Sequence, residues 1–197
     1  PQGIDLSAFA MIRALGTAAT VDPEPGATPG GTLYVNVGGM TNLAIAAGWA
    51  CHFTRVAVVG VGSMAGDLAA RRGLTLEHAE QWLTHVGLEA PVDAVEGDPE
   101  IVSDARAVLT AGVDRIVDEV RNSLDFYAGQ GASVVVERAV VTGPAVAIPG
   151  FVAQLGASVT IPVEAGQVAE AQPGVLDGVD PARVTVAAGL SVTEGSA

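Results

Sequence analysis

The segment from Val56 to Gly66 places Gly60, Gly62 and Ala65 in the spacing G-x-G-x-x-A, after an apolar run and before a helix-forming stretch. In a dinucleotide-binding fold those glycines let a pyrophosphate approach backbone N–H groups at a helix N-terminus. Such a site also requires a second parallel strand that ends in an acidic residue about 20 positions later. That window holds Leu74 to Leu83, which is helical in pattern and has Glu80 inside it. The residues therefore favour a tight strand-to-helix turn over a nicotinamide site.

Two other glycine clusters could carry chemistry. Asn36-Val-Gly38-Gly39-Met-Thr41-Asn42 falls between two strand-like runs. A glycine-rich hairpin with a hydroxyl can wrap a phosphate, because bare backbone donors and Thr41 converge on it. An ordinary hairpin satisfies the same residues. The stretch from Val141 to Gly150, with Thr142, Gly143, Pro144 and Ala145 at its turn, is a strand followed by small residues and a helix start. Small residues there permit an adenosine to pack on the backbone, and a structural connection explains them equally. His78 and His85 lie seven apart without the i, i+4 spacing and carboxylate companion of a zinc helix, so they read as plain polar residues. No Ser/His/Asp or Cys/His set is legible, and no catalytic or metal-binding residue is assigned. Glu77, Glu80 and Glu89 read as a solvated face.

The elements that must position these clusters follow from periodicity. A helix is expected over Asp5 to Leu15, with Phe9, Ile12 and Leu15 on one face. Three prolines and three glycines in Asp22 to Gly31 mark an exposed loop. Strands are expected at Thr32 to Val37, Leu43 to Ala47 and His52 to Val59, forming a meander. Helices follow at Ser63 to Arg72 and from Thr75 to the Gly87 stop. Glu89 to Pro99 is an acidic loop. A long helix runs from Glu100 to Tyr127, its stripe of Val102, Ala105, Leu109, Val113, Ile116, Val120, Leu124 and Tyr127 recurring every three or four residues. Then come a strand at Val134 to Val141, a helix at Ile148 to Leu155, a strand at Ser158 to Val163 and a helix from Pro181 to Val192, with Pro181 as its first residue. The expected fold class is α/β: a ribonuclease-H-like lobe with a β-meander, then strand-helix-strand-helix, interrupted by a helical subdomain. In residues, 1–20 form a helix entering the lobe, 30–60 and 132–197 the ribonuclease-H-like part, and 61–131 the insertion.

Bulk properties narrow the function classes. The 197 residues, 49% of them hydrophobic, suffice for one sizeable core. No apolar run reaches the roughly 20 residues of a membrane-spanning helix, so any membrane association is expected through a partner. The net charge of −13 sets 22 acidic residues against nine basic ones, all Arg. That balance argues against a phosphate-tracking nucleic-acid surface and against docking on anionic lipid. Cys51 is the single cysteine, which rules out an internal disulfide and fits a reducing compartment. The chain begins at Pro1 and is expected to be a fragment of a longer protein.

The run Arg115-Ile-Val-Asp-Glu119-Val-Arg121-Asn-Ser123-Leu-Asp125-Phe-Tyr127 closely resembles the long-helix signature of the type IV pilus assembly family PilM, E-[IV]-x-R-S-L-D-F before a strand. Ile4 through Leu15 resembles the helix entering that family's second lobe. Phe53-Thr-Arg55 through Gly60 is similar to its "ftR-x-x-x-x-G" strand, and Leu74 through Glu80 to its "L-s-x-e-e-A-E" helix. Thr142 through Gly150 takes the place of its Gly-rich turn, and Val186 through Leu190 resembles its closing helix. The pieces occur in the family's order along nearly the whole chain.

This resemblance implies an actin-like superfold shared with the division protein FtsA, with ATP and Mg²⁺ bound between two lobes. Within this lobe it implies nucleotide contacts from Asn36, Gly38, Gly39, Thr41 and Asn42, from Glu80, and from Gly143, Pro144 and Ala145. It implies a cytoplasmic protein peripheral to the inner membrane, a member of the pilus platform that recruits a PilN-like cytoplasmic tail through the other lobe. Three departures touch the chemistry. Asn36 stands where the family's second phosphate loop starts with Asp, and a neutral amide organises Mg²⁺ and its waters poorly. Leu83 stands where a Lys usually approaches the nucleotide. Pro144 removes a backbone donor from the adenosine turn. Together they imply a weakened nucleotide site in a scaffold or regulatory protein, with an active ATPase or sugar-kinase-type enzyme as the alternative.

Overall fold

The computed structural model describes residues 5–19, 30–131, 134–168 and 176–192, with residues 17–19 as backbone only. Most of the loop expected at 22–31 lies outside the described residues. Helix α1 spans Ser7–Ala19 and is followed by strands β1 (Gly31–Val37), β2 (Thr41–Ala47) and β3 (Ala50–Ala57). Helices α2 (Val61–Arg72), α3 (Leu76–Val86) and α4 (Pro99–Gly129) come next. Strand β4 (Val136–Thr142), helix α5 (Phe151–Ser158), strand β5 (Val163–Ala165) and helix α6 (Thr185–Ser191) complete the order.

The strands form one sheet in the order β3-β2-β1-β4-β5. β1, β2 and β3 pair antiparallel, whereas β4 pairs parallel to β1 and β5 parallel to β4. β1 is central and buried along its whole length, as a strand covered on both faces must be. β3, at one edge, alternates exposed and half-buried positions. On one face of the sheet Leu33, Val35, Leu43 and Ile45 join a core with Met64, Leu68, Leu83, Leu109, Ile116 and Phe151. On the other, Tyr34, Ala44 and Val140 pack against Met11, Ile12 and Leu15 of α1. The three helices between β3 and β4 thus share the core of the sheet.

Each helix end has a local cause. Thr75 Oγ1 accepts from the His78 N–H at 3.2 Å, and Asp98 Oδ1 accepts from the Glu100 N–H at 2.9 Å in front of Pro99. Gly73 closes α2 in the left-handed conformation at φ 65°. The expected α4 stripe is buried except Leu124, which is partly covered. Gly112 of α4 sits where α2 crosses, since a Cβ there would stand 2.5 Å from Met64 Sδ.

Four expectations need correction, the first being the helix expected at 148–155, which runs Phe151–Ser158 after the left-handed Gly150. In α1 the face toward the sheet is Ala8, Met11, Ile12 and Leu15, and Phe9 is exposed, because the sheet meets the helix one position round. The last strand is Val163–Ala165, not 158–163: α5 runs on to Ser158, and Pro162 has no N–H to enter a ladder, so pairing starts beyond it with Ala139↔Val163. The last helix begins at Thr185, not Pro181. The N–H of Ala182 is taken by Asp180 Oδ1, and the Ala182 carbonyl is occupied by β4, so neither group builds a helical turn.

Candidate functional site

The carboxyl ends of the parallel strands β1 and β4 lie side by side, with Asn36 paired to Thr142 on one side and to Asn42 on the other. Open α/β sheets bind ligands at this edge, where the chain leaves the strands in turns. Here three turns converge. The first is the β1–β2 hairpin, Gly38–Met40, in which the Gly38 N–H donates to the Met40 carbonyl at 3.1 Å. The second is the Gly60–Gly62 turn that opens α2. The third is the Gly143–Ala145 turn after β4.

Their approach is at backbone distance. A Cβ on Gly60 would overlap the Gly38 carbonyl oxygen, and one on Gly62 would lie 3.0 Å from Gly39 Cα. The Gly62 N–H donates to that same Gly38 carbonyl at 3.4 Å. Gly143 has φ 92°, and a Cβ there would stand 2.7 Å from the Val37 carbonyl oxygen. A Cβ on Gly38 would have Pro144 Cδ 3.9 Å away. Gly39, by contrast, faces open space, with nothing within 4 Å of its would-be Cβ. The tip of the hairpin is therefore held from behind and bare in front.

The structure brings Asn36, Gly38, Gly39, Gly143 and Pro144 into one neighbourhood. Thr41 is engaged elsewhere. It is fully buried and its hydroxyl donates to the Val59 carbonyl at 2.7 Å, bracing the hairpin against the chain beyond β3. Asn42 is half-buried on β2, and Ala145 is fully buried beneath the third turn. Glu80 stands apart on α3. It lines a cleft of about 490 Å³ with Glu77, Gln81, Thr84, His85 and Arg183. Leu83 is wholly buried in the core, so its apolar side chain answers to packing and not to a ligand. His85 Nε2 lies 2.8 Å from the Glu96 carbonyl oxygen.

Two features of the site go beyond what the sequence showed. Gly60 and Gly62 had the right signal, close approach, but the approaching group is a second loop of the same chain. The strand before them is the antiparallel edge strand β3, and three helices follow before the next strand, so no βαβ unit opens there. The dinucleotide reading is excluded on that topology. Arg183 had no local signal, because a bond between Gly143 and Ala182 brings it to the cleft.

The residues present fit the parts of a nucleotide unequally. The exposed, glycine-built hairpin tip admits a phosphate against backbone, and the cleft offers carboxylate and amide groups to hydroxyls and ring edges. The divalent cation fits poorly: at the strand ends the side chains are Asn36, Asn42 and Thr142, all neutral, and hard cations take carboxylates. Among the described residues no three His, Cys, Asp or Glu side chains gather as a metal set.

No family model matches the sequence, and no curated protein does. Solved structures do. A chain of the structure described as the PilM-PilN type IV pilus biogenesis complex superimposes with a TM-score of 0.72 at 20% identity, over 96% of this chain and 52% of the other. The fold is that of an actin-like lobe. MreB5 of Spiroplasma citri bound to ADP follows with a TM-score of 0.63 at 16% identity, covering 95% of this chain and 58% of that one. A non-polymerising MamK mutant bound to AMPPNP gives 0.57 at 12% identity, over 93% and 56%. The chain spans about half the length of these structures. The expected ribonuclease-H-like, actin-like fold class is thereby confirmed. No helix among the described residues of this actin-like lobe is long and apolar enough to cross a membrane.

Proposed function

We propose that this actin-like lobe binds an adenine nucleotide weakly and serves as a scaffold or regulatory part of a type IV pilus inner-membrane platform. The observation that carries the nucleotide reading is the convergence of three glycine turns at the carboxyl ends of β1 and β4, beside an acidic cleft on α3. The likeness to PilM solved with PilN supports the pilus setting. In this reading residues 30–60 and 132–197 form the lobe, and residues 61–131 an inserted subdomain that carries the Glu80 wall.

The chain's own groups divide the work. Backbone at Gly38–Met40 faces the phosphates, with Asn36 and Asn42 flanking it. Glu80 accepts hydrogen bonds from ribose hydroxyls, since an ionised carboxylate is acceptor-only. Gly143, Pro144 and Ala145 give the nucleoside a flat floor without side chains. ATP would supply the phosphates and Mg²⁺ their charge neutralisation. With a neutral amide at Asn36 the cation is poorly held, so binding is weak and hydrolysis slow. A PilN-like cytoplasmic tail is the proposed partner, bound outside this lobe, and it places the protein on the cytoplasmic side of the inner membrane.

Calorimetry of the intact protein with ADP, ATP and ATP·Mg²⁺, alongside phosphate release, tests the reading. The expected outcome is sub-millimolar binding that Mg²⁺ barely improves. Micromolar ATP·Mg²⁺ binding with steady hydrolysis would make the protein an active ATPase. That second reading has one observation behind it, the intact glycine cradle at Gly38, Gly60 and Gly143.

A further inference from the structure

We infer that Arg183 is the wall of the α3 cleft that receives the nucleobase, stacking its guanidinium on a purine ring; this rests on the nucleotide reading above. The position of Arg183 is fixed by its neighbours. The Ala182 carbonyl accepts from the Gly143 N–H at 2.9 Å and from Thr142 Oγ1 at 3.0 Å. Thr142 and Thr185 are both fully buried, and their hydroxyl oxygens lie 2.5 Å apart. Residues 182–185 are thus tied to the end of β4, and the Arg183 side chain projects from that anchored stretch into the cleft.

The opposite wall is one face of α3. Glu77, Glu80, Gln81 and Thr84 follow the i, i+3, i+4, i+7 spacing that puts residues on one side of a helix. The Thr84 hydroxyl donates back to the Glu80 carbonyl at 3.1 Å, which leaves Gln81 as the amide in the cleft with both donor and acceptor. The charges decide what kind of group enters. Two carboxylates against one guanidinium repel a phosphate overall, so the phosphates belong at the neutral hairpin and the cleft takes an uncharged part of the ligand. A planar guanidinium facing such a group favours a flat π system, which an ammonium would not select in the same way. A volume of about 490 Å³ is within the usual range of small-molecule sites and admits the larger purine face. Gln81 meets a base edge that presents a donor beside an acceptor.

The test compares wild type with Arg183→Ala and Arg183→Lys in the intact protein, by calorimetry with adenosine, ADP, ATP and inorganic tripolyphosphate, and with UDP as the pyrimidine control. Expected is a loss of about tenfold for adenosine, ADP and ATP alike in Arg183→Ala, with unchanged tripolyphosphate binding. Arg183→Lys is expected to lose most of that affinity too, because it keeps the charge and lacks the plane. Wild type is expected to prefer ADP to UDP, and Arg183→Ala to lose that preference. Unfolding midpoints equal to wild type check that both variants are folded. If wild type binds nucleotides and Arg183→Ala leaves adenosine and ADP unaffected, the inference is wrong while the nucleotide reading stands. If Arg183→Ala weakens ATP and tripolyphosphate but not adenosine, Arg183 is a phosphate contact and the inference is again wrong. If wild type binds none of the ligands, the nucleotide reading falls and takes the inference with it.

Discussion

The glycine junction and the α3 cleft lie at the same edge of the sheet, but they are built by opposite means. At the junction three backbones touch, and the requirement is the absence of side chains: Gly60 on Gly38, Gly62 on Gly39, Gly143 on Val37. In the cleft the side chains themselves form the walls, and Glu77, Gln81 and Arg183 are exposed. The first region therefore has no free space for a Cβ at Gly60, Gly62 or Gly143, whereas the second tolerates substitution structurally and would register it in ligand binding.

The largest effect should come from Gly143→Ala. It sets a Cβ against the Val37 backbone and forces an alanine to φ 92°, so urea unfolding should show a loss of about 3 kcal/mol. A loss below about 1 kcal/mol would mean that the junction yields, and the contrast between the two regions would collapse. Next is Arg106→Ala. The Arg106 guanidinium donates to the carbonyls of Gly87 at 2.8 Å, Val86 at 3.2 Å and Ala90 at 2.7 Å, fastening the end of the helix that carries Glu80. Its removal should cost about 2 kcal/mol, with hydrogen exchange rising first at residues 86–90. Protection lost evenly across the sheet would show that α3 is not separately fastened.

Asn36→Asp sharpens the comparison from the chemical side. A carboxylate at the end of β1 should improve ATP affinity about tenfold in the presence of Mg²⁺ and leave it unchanged with chelator. Equal affinities with and without Mg²⁺ would show that position 36 does not limit the cation. The smallest effect is expected for Gly39→Ala, whose Cβ meets open space: stability should stay within about 0.5 kcal/mol of wild type. A large loss there would extend the intolerant region to the hairpin tip.

Much of the fold was legible because its signals are local. The stripe on α4, the Thr75 cap and the glycine stop at Gly87 each depend on residues within a turn or two. The hairpin and the turn after β4 were visible for the same reason, since glycine clusters mark close approach wherever they occur. What approaches them was not legible. Gly60 and Gly62 read as a tight strand-to-helix turn, but nothing local says that the β1–β2 hairpin is what lies against them. Thr41 read as a ligand hydroxyl, yet its partner is the Val59 carbonyl 18 residues away. Arg183 could not be found at all, because a bond from residue 143 to residue 182 puts it in place. The misplaced starts of β5 and α6 have the same origin: Pro162 and the Ala182 carbonyl act through partners on β4 that periodicity does not see.

The parallel pairing of β1 with β4 has a consequence for how the chain reaches this structure. The Arg138 guanidinium meets the Thr32 hydroxyl across 106 residues, and the strand pairing there closes a loop that contains β2, β3 and all three middle helices. Antiparallel pairing of β1, β2 and β3 needs only short turns, and α2, α3 and α4 can gather on that meander early. The junction at Gly143 forms only when β4 arrives, after the entropy of the long closure has been overcome. Refolding should then be biphasic in order of appearance, with the Thr41 brace formed before the Ala182 anchor. The ligand edge would be the last part of the molecule to exist and the first to be lost.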